Sequence, residues 1–187
     1  MSILKILLIS LASVLAENLV FVNYLGIEPF IGGTKDTKEA KTTGIAILIL
    51  TISCSFVTSL FDTLLLRPLS IEYMRTVVFV LVIAAMWRVL SSLKTRIALS
   101  EKYVFSSTAL LATALMVSSN GFNPLEAIFY GAAAGAGFLL SSFLFVEIKK
   151  QLEYSEIPEF LKGLPILLIT AGLIALVFTG FHGMKFI

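Results

Sequence analysis

The sequence predicts an all-α integral membrane protein of six transmembrane helices, arranged as two inverted three-helix repeats with an interrupted first helix in each. Composition, the spacing of the charges and the side on which the basic residues fall lead to this fold. Of 187 residues, 58% are hydrophobic and 14% charged, where a soluble domain carries about 25% charged residues. So few charges cannot cover such an apolar interior in water, and a disordered chain has the opposite composition. The bilayer is therefore the solvent. A net charge of +2, scattered along the chain, excludes a nucleic-acid binder that works through a basic patch. The single cysteine, Cys54, cannot close an internal disulfide or supply a tetrahedral metal site alone.

A spanning helix needs about 20 mostly apolar residues, so the spans are found between successive charges. The first apolar run is interrupted by Glu17 and Asn18 and ended by Gly26, Glu28 and Pro29, which makes span 1 a defective helix. A cleaved signal peptide is disfavoured there, because residues 2–5 are barely basic and apolar character resumes after Glu17. Span 2 covers residues 42–61, between Lys41 and Asp62. Span 3 covers residues 71–93, with Arg75 and Arg88 near its ends; about 20 Å separates them at 1.5 Å per residue, so each can snorkel to its own interface. Span 4 covers residues 103–125, span 5 residues 127–146 and span 6 residues 163–181.

Orientation follows from the basic residues, which stay in cytoplasmic loops. The connections after spans 1, 3 and 5 hold Lys35, Lys38, Lys41, Lys94, Arg96, Lys102, Lys149, Lys150 and Lys162, whereas the opposite side holds Lys5, Arg67 and Lys185. Both termini are thus expected on the non-cytoplasmic side. The single membrane domain, residues 1–187, divides into repeats 1–93 and 94–187. Three spans per repeat make the repeats inverted, and broken first helices in such folds meet near the bilayer midplane. In repeat 2 the irregular element is the polar end of span 4, at Ser118, Ser119, Asn120, Gly121 and Pro124.

The candidate intramembrane site consists of Glu17, Asn18 and Glu28. Glu17 falls about fourteen residues into span 1, where an ionisable group is expensive unless paired, protonated or hydrated. It is either an ion- or proton-handling carboxylate or a protonated packing group bonded to backbone or to Asn18. Glu28 lies between Gly26 and Pro29, where a helix must stop; it faces a cavity or reaches the headgroups. Asp62 with Arg67 and Pro68 reads as an interfacial ion pair at the end of span 2. Gly131, Gly135 and their alanine neighbours, four apart, allow close helix packing. A nucleotide-binding glycine loop would need a preceding strand. Cys54 reads as a small apolar packing residue, and His182, alone beyond span 6, as no metal ligand. No Ser/His/Asp or Cys/His set is present, so the chain is not catalytic alone.

Four stretches carry a family resemblance over nearly the whole chain: ENLVFVNYLGIEPFIGGTKD (residues 17–36), LFDTLLLRPLSIEYMRTVVFVLVIA (60–84), FYGAAAGAGF (129–138) and YSEIPEFLKGLPILLITAGLIALVFTGFHG (154–183). The chain resembles the A subunit of the bacterial Rnf complex and the related E subunit of the sodium-pumping NADH:quinone reductase. The resemblance implies the same six-span topology and a bacterial or archaeal cytoplasmic (inner) membrane. It also implies a sister membrane subunit of opposite topology, and a complex that couples electron transfer between ferredoxin or NADH and NAD or quinone to sodium or proton translocation. It further implies a [2Fe–2S] cluster at the sister interface, held by one cysteine in each half of each sister. Here Glu28 stands at the first position, in Leu25-Gly26-Ile27-Glu28-Pro29-Phe30, and the apolar region around Leu111 (residues 109–112) occupies the second. No cofactor is therefore expected to be held by this chain's own residues. A reading from a different class is a small six-span secondary transporter, or a transporter's partner, in which Glu17 and Glu28 serve the coupling ion or substrate without redox function.

Overall fold

A computed structural model describes Val14 and residues 18–27, 37–92 and 108–182. Among the described residues every regular element is helical: α1 (Thr37–Phe61), α2 (Arg75–Ser92), α3 (Thr108–Ser119), α4 (Pro124–Glu153) and α5 (Leu164–His182), with short helical turns at Asp62–Leu66, Glu72–Met74 and Glu159–Leu161. These correspond in order to the expected spans 2 to 6. α1 with its extension, Ala40–Leu66, and α4 are long and apolar enough to cross a bilayer. The apolar stretches Thr108–Ser119 and Leu164–Gly180 are shorter.

The expected boundary between spans 4 and 5 moves. α3 stops at Ser119, six residues before the expected end of span 4. The Phe122 N–H bonds the Val117 carbonyl at 3.2 Å and the Gly121 N–H bonds the Ser118 carbonyl at 3.1 Å, while Gly121 takes φ +67°. This is a Schellman cap, with a left-handed glycine ending the helix and the next residue folding back onto its last turn; Phe122 packs beside Val117. Leu125 consequently belongs to α4. That helix starts where Pro124 occupies the first turn, a position that needs no amide donor. Glu126 accepts the Asn123 N–H at 3.1 Å, which stabilises this start. The charge used as a span boundary is thus a capping residue of the next helix. At its other end α4 runs to Glu153, beyond the apolar stretch that ends at Val146.

α1 and α4 lie antiparallel along their full length. A Cβ added at Gly131 would stand 2.6 Å from Ser55 Oγ and 3.0 Å from the Thr51 carbonyl oxygen. One added at Gly135 would stand 2.9 Å from Leu48 Cα, and Gly44 faces Leu139 and Ser142. At the far end Thr37 Oγ1 donates to Glu147 Oε1 at 2.9 Å, and Lys150 bonds both groups. Backbone approach of this kind is what small residues permit, and it supplies the dispersion contact that replaces the hydrophobic effect between helices in lipid. The core gathers where these two helices meet the segment 18–27: Val20, Phe21, Ile47, Leu50, Cys54 and Phe138 are all nearly inaccessible. α5 joins it through Phe178, whose ring centroid is 4.9 Å from that of Phe21.

Candidate functional site

Asn18 organises the interior. It is fully buried, and its amide Nδ2 donates to the carbonyls of Val14 at 2.9 Å and Gly137 at 3.3 Å. Its Oδ1 accepts the Val20 and Phe21 N–H groups at 2.9 and 3.1 Å and the Ser141 hydroxyl at 3.1 Å. The side chain thereby satisfies amides that a turn leaves without helical partners, in the manner of an N-cap. The turn closes through the Val22 and Asn23 N–H groups on the Asn18 carbonyl, at 3.0 and 3.3 Å. Asn18 thus satisfies the interrupted backbone and is itself anchored on Gly137 and Ser141 of α4. A Cβ at Gly137 would come within 3.3 Å of Asn18 Nδ2, so that glycine makes room for the amide. The run of small residues on α4 therefore serves two neighbours, with Gly131 and Gly135 turned to α1 and Gly137 to Asn18.

The segment then crosses to the start of α3. Tyr24 takes φ +56° and Gly26 φ +82°. The Gly26 N–H donates to Thr108 Oγ1 at 2.8 Å, and a Cβ at Gly26 would sit 2.7 Å from that of Ala109 and 3.1 Å from the Phe138 ring. Only glycine fits both the left-handed backbone and this approach. Gly26, in the first of the two stretches that the family resemblance pairs, thus touches Ala109, in the second, although more than eighty residues separate them. Leu111, half-buried, packs against the same core as Ile27. Of the expected site residues, the structure places Asn18 at the centre; Glu17 and Glu28 lie outside the described residues.

What this junction can hold follows from its donors. Among the described residues around Gly26 they are the Thr108 hydroxyl and backbone groups, with Ala109, Leu110 and Phe138 apolar and buried. Among the described residues no three His, Cys, Asp or Glu come together. Cys54 is on α1, buried in the core, as expected of a packing residue.

A second polar centre lies where α1 ends. Asp62 is 1% exposed; its Oδ2 accepts Arg67 Nε at 3.0 Å and its Oδ1 accepts Arg75 Nε at 2.9 Å. Glu72 stands 3.6 Å from the Arg75 guanidinium. The expected Asp62–Arg67 pair is present, but its carboxylate is buried and shared with Arg75, which sequence reading assigned to the end of span 3. The cause is a widening of the helix at Asp62–Leu66, where the Arg67 N–H bonds the Asp62 carbonyl five residues back. The wider turn buries Asp62 and Leu66 and leaves Leu64 and Leu65 outside. The signal for Arg75 was its position just before the next apolar run, thirteen residues after Asp62. Ser59, one turn earlier, donates to the Phe122 carbonyl at 3.2 Å, so this clamp is tied to the turn that opens α4.

Comparison with known proteins covers nearly the whole chain. The family described as Rnf-Nqr subunit, membrane protein, matches residues 6–185. The A subunit of the Na(+)-translocating ferredoxin:NAD(+) oxidoreductase complex of Acetobacterium woodii is 34% identical over 190 residues, covering 97% of this chain and 99% of its own. The A subunit of the ion-translocating oxidoreductase complex is 33% identical in Vibrio cholerae and 36% in Citrobacter koseri, each over 95% of this chain and 96% of its own.

Proposed function

The chain belongs to the Rnf-Nqr family of membrane subunits, and on that premise we propose that it is a membrane-embedded component of a complex coupling electron transfer, from ferredoxin or NADH to NAD or quinone, to sodium or proton translocation. The near-complete coverage of both chains in the match to the Acetobacterium woodii protein carries this reading. The chain sits in the cytoplasmic membrane as one domain with both termini on the non-cytoplasmic side, beside a sister subunit of opposite topology. Its six spans form two inverted repeats, 1–93 and 94–187. Two contacts support the repeats: the second helix of each, α1 and α4, pack antiparallel, and the start of α3 meets the broken segment at Gly26.

A [2Fe–2S] cluster does not fit this chain's described donors. Cluster iron is held by cysteine thiolates, with histidine the usual exception. The second family position presents Ala109, Leu110, Leu111 and Ala112, beside a threonine hydroxyl that already accepts the Gly26 N–H. This chain supplies no ligand there, and the redox groups of the complex sit on partner chains. Its own part is to build the membrane path. Asn18 pins the break at depth, and Glu17, next to it in sequence, is the carboxylate that handles the ion or proton as the two halves alternate their exposure.

The test is affinity purification of the chain from its native membrane in mild detergent, with identification of the chains that come with it. Flavin-binding and nicotinamide-binding partners are expected, together with a second six-span membrane chain. A solitary homo-oligomer that moves a solute without redox partners would overturn the proposal.

A further inference from the structure

At the end of α4 a cavity of about 250 Å³ opens between that helix, the loop after it and the start of α5. This is somewhat below the size that encloses a drug-sized ligand, and suits a headgroup with the first part of its chains. Leu152, Ile157, Ile166 and Leu167 form an apolar floor. Lys149 and Glu153, one turn apart on α4, and Lys162, on the segment leading into α5, put both signs of charge on its lining. The floor continues onto the outward side of α5, where Leu164, Leu168 and Ile169 are about half exposed. Tyr154 and Phe160, 91% and 79% exposed, lie in the same connection between α4 and α5, the kind of residue that is enriched at membrane interfaces.

We propose that this cavity binds one phospholipid with an ethanolamine headgroup: its phosphate between Lys149 and Lys162, its ammonium on Glu153, and its upper acyl chain on the apolar floor and the adjoining side of α5. The proposal goes beyond membership of the redox complex. It rests on the chain spanning a membrane, not on any redox role. A soluble phosphate would use the lysines but leave the floor uncovered. A glycerol headgroup would offer Glu153 neutral hydroxyls in place of a cation, and would lose the charge pairing. A choline headgroup has no N–H to donate to Glu153, so it loses a charge-assisted hydrogen bond. Ethanolamine alone among these covers the apolar floor, places its phosphate on the lysines and gives Glu153 a cation that also donates a hydrogen bond.

The test is native mass spectrometry and lipid extraction on the intact complex, exchanged into nanodiscs of phosphatidylethanolamine, phosphatidylcholine or phosphatidylglycerol, with the co-purifying chains identified separately. One ethanolamine lipid retained per copy of this chain, above the other two headgroups, is expected. Lys149→Ala with Lys162→Ala should lower that retention by about tenfold or more, the scale of one lost charge-assisted contact. Glu153→Gln should retain the lipid but erase the preference for ethanolamine over choline. Should the double lysine variant fail to assemble, Glu153→Gln alone decides, because it keeps shape and volume. Retention indifferent to headgroup, or a preference unchanged in Glu153→Gln, would overturn the proposal. So would a photo-cross-linker at Ile157 that captures a protein chain instead of lipid, since a neighbouring chain would then fill the cavity. None of these outcomes bears on the partner chains, so membership of the complex and the lipid site can fail independently.

Discussion

α1 and α4 bury glycines and hydroxyls against each other, whereas α2 and α5 turn large aliphatic side chains outward. On α1 the buried positions include Thr51, Ser55, Thr58 and Ser59, and on α4 Ser141 and Ser142 beside Gly131, Gly135 and Gly137. Most of these hydroxyls donate to the carbonyl four residues back: Thr51 to Ile47 at 2.6 Å, Thr58 to Cys54 at 2.7 Å, Ser141 to Gly137 at 2.9 Å and Ser142 to Phe138 at 2.9 Å. On α2, by contrast, Val77 and Leu81 are 56% and 64% exposed, and on α5 Leu173, Leu176 and Val177 exceed half exposure. The pairing reverses the rule for soluble proteins. Lipid is as apolar as leucine, so burying a leucine gains little. Close backbone approach and satisfied polar groups are worth more, and the small and hydroxylated residues go inside.

Changes at four places in the fold test how sharp that contrast is. Gly135→Leu should have the largest effect, because even a Cβ there meets Leu48 Cα at 2.9 Å, and a backbone atom cannot swing aside. Loss of folded chain from membranes, seen by detergent extraction and size exclusion, is expected; normal yield would mean that α1 and α4 are not held this closely. Next comes Arg67→Ala combined with Arg75→Ala, which leaves the Asp62 carboxylate buried without its cations. A loss of about 3–5 kcal/mol is expected, measured by denaturant titration in micelles, with Arg75→Ala alone costing less because Arg67 still compensates.

Asn18→Leu, similar in volume, removes the acceptor of the Val20 and Phe21 amides, while the Ser141 hydroxyl keeps the Gly137 carbonyl. Each buried group left unpaired costs about 1–3 kcal/mol, and since the segment relaxes in part a total of about 2–3 kcal/mol is expected. Faster backbone hydrogen exchange at Val20 and Phe21 should accompany it, and unchanged exchange would contradict the hub. The smallest effect belongs to the outward helices. Leu176→Ala should shift the stability of the isolated chain in micelles by less than about 0.5 kcal/mol. A much larger loss in the intact complex would mean that a neighbouring chain covers that side of α5, and would turn a lipid face into an interface.

The sequence alone determined the class of protein and most of its elements. A bilayer admits only helices or closed barrels and demands long apolar runs between charges, so runs at residues 42–61, 71–93, 127–146 and 163–181 announced α1, α2, α4 and α5. Residue types also marked the special places: Asn18 within an apolar run, Gly26 before Pro29, and glycines four apart on α4. The tertiary structure decided which neighbour each of these serves. Hydropathy could not say, because α4 is apolar on every side, and with lipid outside no polar face reveals the direction of the interior. It therefore took the fold to show that Gly131 and Gly135 face α1 while Gly137 makes room for Asn18. The same holds for Asp62, whose burial depends on one widened turn and on an arginine thirteen residues away. Gly26 meets Thr108 and Ala109 for the same kind of reason: a contact between distant segments is set by the summed packing of several helices, and no local stretch of sequence records it.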